Sequence, residues 1–294
     1  MSFAFTHRRN VEAQVRAMAL EQIEKGLEEA SQPNDEPSKI VHGLRRRCKK
    51  LRGLVRLVGP NFKRADKENK AFRDAASSLS QSRDAVVMVE TFAGLLEFDR
   101  GGGSPRIGEI EAGRIRQVLE GEAAPAEAWN KDRFAEFRTI FKAARKRTEN
   151  WSIDGRGFDA LSDGLIGNYR QFRQRMAAAE DDPVAEQLHE WRKFAKYHGH
   201  HLGLLRRSAP DLLKNRQAAI GQLGDLLGDH HNLAVLEQKL AKLDIDGSVL
   251  EVIAARQQEL AGSAFFMGRQ LGAEKPAALR RRLEKYWLLL PEKS

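Results

Sequence analysis

Cationic side chains recur at helical spacing between Ser38 and Ala65, which we call the first basic segment. The segment contains no Asp or Glu, and the first acid after it is Asp66. Steps of three and four residues connect His42, Arg45, Lys49, Arg52 and Arg56. Such steps place side chains on one helix face, so the segment predicts a cationic stripe about 21 Å long. Lys and Arg bind phosphate groups, and an anionic ligand would offset the repulsion among these like charges.

A weaker copy of this chemistry lies between Leu188 and Pro210, which we call the second basic segment. The pattern H-x-x-R-x-x-x-K occurs in both segments, as His42-Arg45-Lys49 and as His189-Arg192-Lys196. In the second segment Glu190 stands beside the cations, while Gly199 and Gly203 interrupt the stripe. Further histidines follow at His198, His200 and His201. We therefore expect the first segment to carry most of the affinity, and the second to strengthen as pH falls through the ordinary histidine pKa of about 6.5.

Apolar residues also recur at steps of three and four, so each basic segment is predicted to form an amphipathic helix with one buried face. In the first segment these residues are Val41, Leu44, Cys48, Leu51, Val55 and Val58. In the second they are Leu188, Trp191, Ala195, His198, Leu202 and Leu205. The cationic stripe follows one position after the apolar one, which places it beside the buried face.

The sequences that follow the two basic segments are similar to each other. LSQSRDAVVMVE begins at Leu79 and LGDHHNLAVLEQ begins at Leu227, at nearly the same offset as the basic segments themselves. Two related segments at a near-constant offset indicate an internal duplication.

The repeated H-x-x-R-x-x-x-K helix, with a Leu-Gly-x-x-x-Asp/Asn-like turn after each copy, resembles the conserved histidine α-helical domain (CHAD) family. Gly164 to Met176 is similar to the Tyr-Arg-rich helix of that family, and Lys275 to Trp287 to its last helix. The resemblance covers nearly the whole chain. It implies an all-α fold of two four-helix-type bundles related by a pseudo-twofold axis, with a basic surface between them that binds inorganic polyphosphate.

The predicted polyphosphate-binding residues come from both basic segments and from two other helices. The first segment contributes His42, Arg45, Arg46, Lys49, Lys50, Arg52 and Arg56. The second contributes His189, Arg192, Lys193, Lys196 and Tyr197. The remaining candidates are Arg138, Lys142 and Arg145 on one predicted helix and Arg170 and Arg173 in the Tyr-Arg-rich segment.

No alternating strand pattern occurs, so the predicted elements are helices. The predicted helices are Phe5–Ala30 with Thr6 as N-cap, 38–58, 62–79, 83–98, 128–149, 158–179, 183–207, 212–227, 232–243, 247–271 and 276–290. Loops are predicted at Gly101–Pro105 and Gly121–Ala128. The acidic turn Glu180–Pro183 is the predicted boundary between a first helical half, residues 1–180, and a second, residues 181–294.

Composition is consistent with a helical protein that has an anionic partner. The 294 residues carry a formal net charge of +9, with 31% charged and 7% aromatic residues. Cys48 is the only cysteine, which excludes an intrachain disulfide and fits a reducing compartment. Residues 1–30 lack the apolar core of a signal peptide, and no stretch is apolar enough to span a membrane. We expect a cytoplasmic protein associated with polyphosphate granules.

Catalytic and metal-binding signals are weak. The sequence has no Walker loop, nucleophile elbow or kinase motif, so we expect no enzymatic activity and no cofactor. Glu21, Glu24 and Lys25 do not have the E-x-E-x-K spacing of the triphosphate-tunnel domain that often accompanies the family. His198 and His201 are spaced as a possible ligand pair, but no H-E-x-x-H motif or cysteine partner accompanies them, so no metal site is expected.

Two other anionic partners remain open. DNA or RNA could bind the same charges through their phosphate backbones, and a scaffold could use them to dock acidic proteins. Base recognition needs side chains that hydrogen-bond base edges, or aromatic platforms for single strands. The first basic segment has no aromatic residue and no Asn or Gln before Asn61, which favours a bare phosphate chain.

Overall fold

The computed structural model describes residues 3–31, 37–79, 81–126, 131–243 and 245–292, and this part of the chain is helical and contains no strand. The α-helices are α1 Val11–Glu29, α2 Pro37–Val58, α3 Ala65–Ser77, α4 Gln81–Gly101, α5 Glu109–Ala126, α6 Lys131–Thr148, α7 Asp159–Asp181, α8 Ala185–Leu205, α9 Pro210–Leu240, α10 Gly247–Gly272 and α11 Pro276–Trp287. The all-α prediction is therefore confirmed.

The helix of the first basic segment, α2, is held on several sides because its apolar stripe is buried as predicted. It packs against α1, α3, α7 and α8. Its crossing with α7 is close: a Cβ at Gly164 would lie 2.1 Å from the carbonyl oxygen of Leu57, so only glycine fits there. This packing fixes the direction in which the cationic face of α2 points.

The helix of the second basic segment, α8, packs between α7 and α9 and also contacts α2. Asn168 on α7 donates a hydrogen bond from Nδ2 to the carbonyl oxygen of Phe194, 3.1 Å away. Each basic helix ends in a short 3₁₀ turn, Gly59–Asn61 after α2 and Arg206–Ser208 after α8, and the next helix packs back on it. The local order of the two copies is alike, while the pseudo-twofold relation between them remains a prediction.

Two apolar clusters stabilise the described fold. The larger draws on α1, α2, α3, α6, α7, α8, α9, α11 and the C-terminal part of α10, and it therefore includes side chains from both sides of the predicted boundary. The smaller joins α4 and α5 to the second part of α9 and the first part of α10. Because α2 and α8 both belong to the larger cluster, one apolar core positions the two basic helices.

Several predicted helix bounds are wrong. The first helix begins at Val11 after Asn10, so Thr6 does not cap it and instead contacts Gln14. The predicted loop from Gly121 continues α5 up to Ala126, because Glu and Ala there favour helix. Residues 127–130 lie outside the described part of the chain.

The predicted break after Leu227 is also wrong, since α9 runs without interruption to Leu240. Gly228 lies inside this helix and under the Arg192 guanidinium, whose Nη2 would be 2.9 Å from a Cβ at that position. After the first copy, residue 80 and the side chains of residues 81–84 lie outside the described part. Another helix, α5, was absent from the sequence prediction.

Candidate anion-binding surface

The two basic helices cross at Gly53 of α2. A Cβ at this position would lie 2.8 Å from the Cβ of His200 on α8, so glycine permits the close approach. The Gly53 carbonyl oxygen lies 3.2 Å from Nε2 of the buried His201. A carbonyl only accepts hydrogen bonds, so Nε2 carries the proton in this pair. The crossing therefore brings the cations of both sequence copies onto one surface.

Arg52 and Arg56 of α2 share one aromatic ring from α8. The Arg56 Cζ lies 4.2 Å from the centroid of the Tyr197 ring, and the Arg52 Cζ lies 5.8 Å from it. Arg52 also donates from Nε to Oδ1 of Asn69 on α3, at 3.1 Å. Burial lowers the pKa of Arg52, but an arginine remains charged in any protein environment. Among the described residues, neither guanidinium has a carboxylate partner, so both charges are available to a ligand.

The charges of three lysines act on His200 at the crossing. Burial, together with the charges of Lys49, Lys196 and Lys50, lowers the pKa of His200 to about 4. The Lys50 ammonium also lies over the Phe3 ring, 5.5 Å from its centroid. We name the group Lys49, Lys50, Arg52, Arg56, Lys196 and Tyr197 the crossing surface. It joins residues of α2 and α8 that are far apart in sequence.

The cations of the second copy are largely matched by acids and carbonyl groups. Lys196 Nζ lies 2.8 Å from Oδ1 of Asp225 on α9. Arg192 donates from Nε to the carbonyl oxygen of Gly224, at 3.2 Å. Burial lowers the pKa of Arg192, whereas the charges of Asp225 and Asp229 favour its protonated form. Lys193 pairs with Glu190 one turn away. The second copy therefore presents less net positive charge to a ligand than its sequence suggests.

Burial holds the pKa values of the histidines of the second copy below the ordinary value of 6.5, so the expectation that they gain charge in that range is wrong. His198 and His201 are fully buried, and burial lowers the pKa of His201 to about 3 and that of His198 well below 6.5. His198 packs against Tyr169, with ring centroids 5.1 Å apart. The rings of His189 and His231 lie 4.2 Å apart, and burial lowers the pKa of both, that of His231 to about 4.

Other predicted site residues lie around or away from the crossing surface. On α2, His42 and Arg46 are exposed, and Arg45 donates from Nη1 to the carbonyl oxygen of Ala76 near the end of α3. On α7, Arg170 is exposed and Arg173 lies beside Gly272 of α10.

The candidates on α6 face α1. Arg138 donates from Nη1 to the carbonyl oxygen of Ala30, and Arg145 lies 3.4 Å from Oε1 of Glu24, while Lys142 is exposed. The structure thus brings together cations of α2 and α8. Arg138 and Arg145 of α6 instead contact α1 or the residue at its C-terminal end.

Sequence reasoning missed three neighbours of the crossing surface: Phe3, Asn69 and Asp225. Phe3 and Asn69 are single residues without a motif, and nothing in their spacing relates them to α2. Asp225 carried a usable signal, because an acidic residue on the helix after a basic helix can pair with it. Cys48 is buried as predicted, and burial raises the pKa of its thiol to about 12.

Within the described ranges, no group of three or more His, Cys, Asp or Glu side chains is placed to hold a metal ion. None of the described helices has both the length and the apolar character that a membrane crossing requires.

Comparison with known proteins identifies the fold. A family model described as CHAD domain matches residues 14–241. The chain is similar in structure to PptA from Streptomyces chartreusis, with a TM-score of 0.57 and 14% identity over 90% of this chain and 99% of that one. It is also similar to the CHAD domain of the plant Ricinus communis, with a TM-score of 0.52 and 18% identity over 96% and 94% of the two chains. No curated protein shows significant sequence similarity to the chain. At these identities the structural likeness shows the fold alone.

Proposed function

The chain belongs to the CHAD domain family, and from this membership and the crossing surface we propose that it binds inorganic polyphosphate without catalysing a reaction on it. The observation that carries the proposal is the convergence of cations from α2 and α8, in which Arg52 and Arg56 have no carboxylate partner among the described residues. An unneutralised, partly desolvated guanidinium pair is well suited to the closely spaced charges of a phosphate chain.

The contacts of the crossing surface favour a bare phosphate chain over nucleic acid. Proteins that bind single strands offer open aromatic faces on which bases stack. Here the rings of Phe3 and Tyr197 each already interact with a cation, Lys50 and Arg56 respectively. Binding of DNA or RNA through the phosphate backbone alone is the alternative. Association with polyphosphate granules in the cytoplasm is the cellular consequence that the proposal suggests.

The test is a competition experiment with the purified protein. Labelled long-chain polyphosphate is bound at near-physiological salt, and unlabelled polyphosphate or duplex DNA is added at matched phosphate concentration. We expect polyphosphate to displace the label at a clearly lower concentration than DNA does. Equal displacement would favour the nucleic-acid alternative, and wild-type protein that does not bind the label would refute the proposal.

Salt dependence tests the mechanism in the same assay. A chain of phosphates held by Lys and Arg contacts releases counterions on binding, so the logarithm of the binding constant should fall steeply and linearly with the logarithm of salt concentration. An affinity that stayed nearly constant across a several-fold rise in salt would exclude charge neutralisation as the source of binding.

A further inference from the structure

Tyr197 belongs to α8, yet its ring contacts two arginines of α2 that lie one helical turn apart. Two like charges at this spacing repel each other, and the Arg56 charge contributes to the lowered pKa of Arg52, after burial. The negative face of an aromatic ring offsets such repulsion. The ring therefore makes it less costly to hold both guanidinium groups at the crossing surface.

The contact also restricts the orientation of Arg56. Its Nε is buried and has no hydrogen-bond partner among the described residues, so the ring is the main contact that the structure gives this guanidinium. A guanidinium held over a ring has fewer positions open to it, and its outer N–H groups can still donate to two phosphate oxygens at once. Arg52 is held separately by Asn69.

We propose that Tyr197 is a positioning residue that orders Arg56, and with it Arg52, for bidentate binding of phosphate groups. The inference rests on the proposed function and explains how the crossing surface binds its ligand. Long side chains lose conformational freedom when they bind, and ordering them beforehand lowers that cost. The tyrosine of the second copy thus positions two arginines that come from the first copy.

A double-mutant cycle tests this role. Polyphosphate affinity is measured at fixed salt for the wild type, Tyr197→Leu, Arg56→Ala and the double variant. We expect Tyr197→Leu to weaken binding by roughly fivefold, and to weaken it clearly less when Arg56 is already absent, because only the longer contact to Arg52 then remains. Equal losses from Tyr197→Leu in both backgrounds would mean that the ring acts through general structure, and would overturn the inference.

Two further variants distinguish a role of Tyr197 in orienting Arg56 from a role in stabilising the fold. Tyr197→Phe should recover the affinity lost in Tyr197→Leu, because the hydroxyl makes no hydrogen bond to a described residue. The matched control is Tyr286→Leu, which removes a ring 5.5 Å from Arg282, a guanidinium already bound at 2.6 and 3.1 Å by Glu274. That control should bind like the wild type, and a loss equal to that of Tyr197→Leu would overturn the inference.

Should Tyr197→Leu fail to fold, Arg56→Lys addresses the same question from the other partner. Lysine keeps the charge but lacks the planar group that donates to two oxygens at once, so this variant should bind more tightly than Arg56→Ala but clearly more weakly than the wild type. Wild-type affinity in Arg56→Lys would overturn the inference. The proposed function fails separately, if the wild type itself does not bind polyphosphate.

Discussion

At the scale of single residues, the neighbouring histidines at the crossing should make the protein sensitive to acid. Burial lowers the pKa of His200 to about 4 and that of His201 to about 3, from an ordinary value of 6.5. As pH falls below 6.5 the unfolded chain binds protons that the folded protein excludes. The free energy of unfolding should therefore be highest above pH 6.5 and fall towards pH 4, by about 1.4 kcal/mol per pH unit for each such histidine.

Urea unfolding at a series of pH values measures this dependence. The variant His200→Gln, which cannot titrate, should reduce the slope between pH 6.5 and 4.5 by the contribution of about one proton. A free energy of unfolding that stayed constant over this range would contradict the lowered pKa of both histidines. The sequence predicted that His198 is buried, because it lies on the apolar stripe, but it could not predict the environment of His200. That environment depends on Gly53, a residue about half the chain away in sequence.

At the scale of elements, α2 should contribute more to polyphosphate affinity than α8. Two triple variants compare them: Arg45, Lys49 and Arg52 to Ala, and Arg192, Lys193 and Lys196 to Ala. The first should lose roughly tenfold or more in affinity at pH 7.5, because charge-assisted contacts are each worth on the order of 1 kcal/mol or more. The second should lose clearly less, because its cations already contact Asp225, Glu190 and the Gly224 carbonyl.

Equal losses of affinity in both triple variants would show that α2 and α8 form one symmetric site. A larger loss of affinity in the α8 variant would show that the position of the cations matters more for binding than their number. Arg45 and Arg52 also contact Ala76 and Asn69, so the melting temperature of each variant is measured alongside its affinity.

Asp225 supplies a matched pair within the same comparison. Its side chain is 76% exposed and pairs with Lys196, so Asp225→Asn should strengthen polyphosphate binding by a few-fold. Asp159, whose side chain is 74% exposed and pairs with Arg280, is the control, and Asp159→Asn should leave binding nearly unchanged. Equal gains from both variants would mean that only net charge matters.

The sequence predicted the bounds of α2 better than those of α9. For α2 the apolar period predicted 38–58, and the structure gives Pro37–Val58, because one face of this helix is buried from Ile40 to Val58. For α9 the prediction placed a break at Gly228, where the structure has helix. The Leu-Gly-x-x-x-Asp/Asn-like pattern suggested a turn, but a side chain from a neighbouring helix covers Gly228, and that contact is not visible in the local sequence.

At the scale of the whole molecule, the two predicted halves share their larger apolar cluster. Leu51 of α2 and Trp191 of α8 are both fully buried in it, on opposite sides of the predicted boundary. The motif pair predicted that the basic helices have related surroundings, but sequence periodicity does not reveal which buried faces meet. The division into residues 1–180 and 181–294 therefore remains a prediction of where one sequence repeat ends and the next begins. It does not say which helices unfold together.

Hydrogen exchange can determine whether the halves unfold as one cooperative unit. Leu51→Ala should destabilise the protein by about 2–5 kcal/mol, the usual cost of truncating a buried leucine. Because the cluster is shared, amide protection should decrease in α8 and α11 to an extent similar to the decrease in α2 and α3. The control is Leu212→Ala, a leucine that is 59% exposed, which should leave protection unchanged. A decrease confined to residues before Asp181 would instead show two halves that are stable independently, and the crossing of α2 and α8 would then be an interface between domains rather than part of a common core.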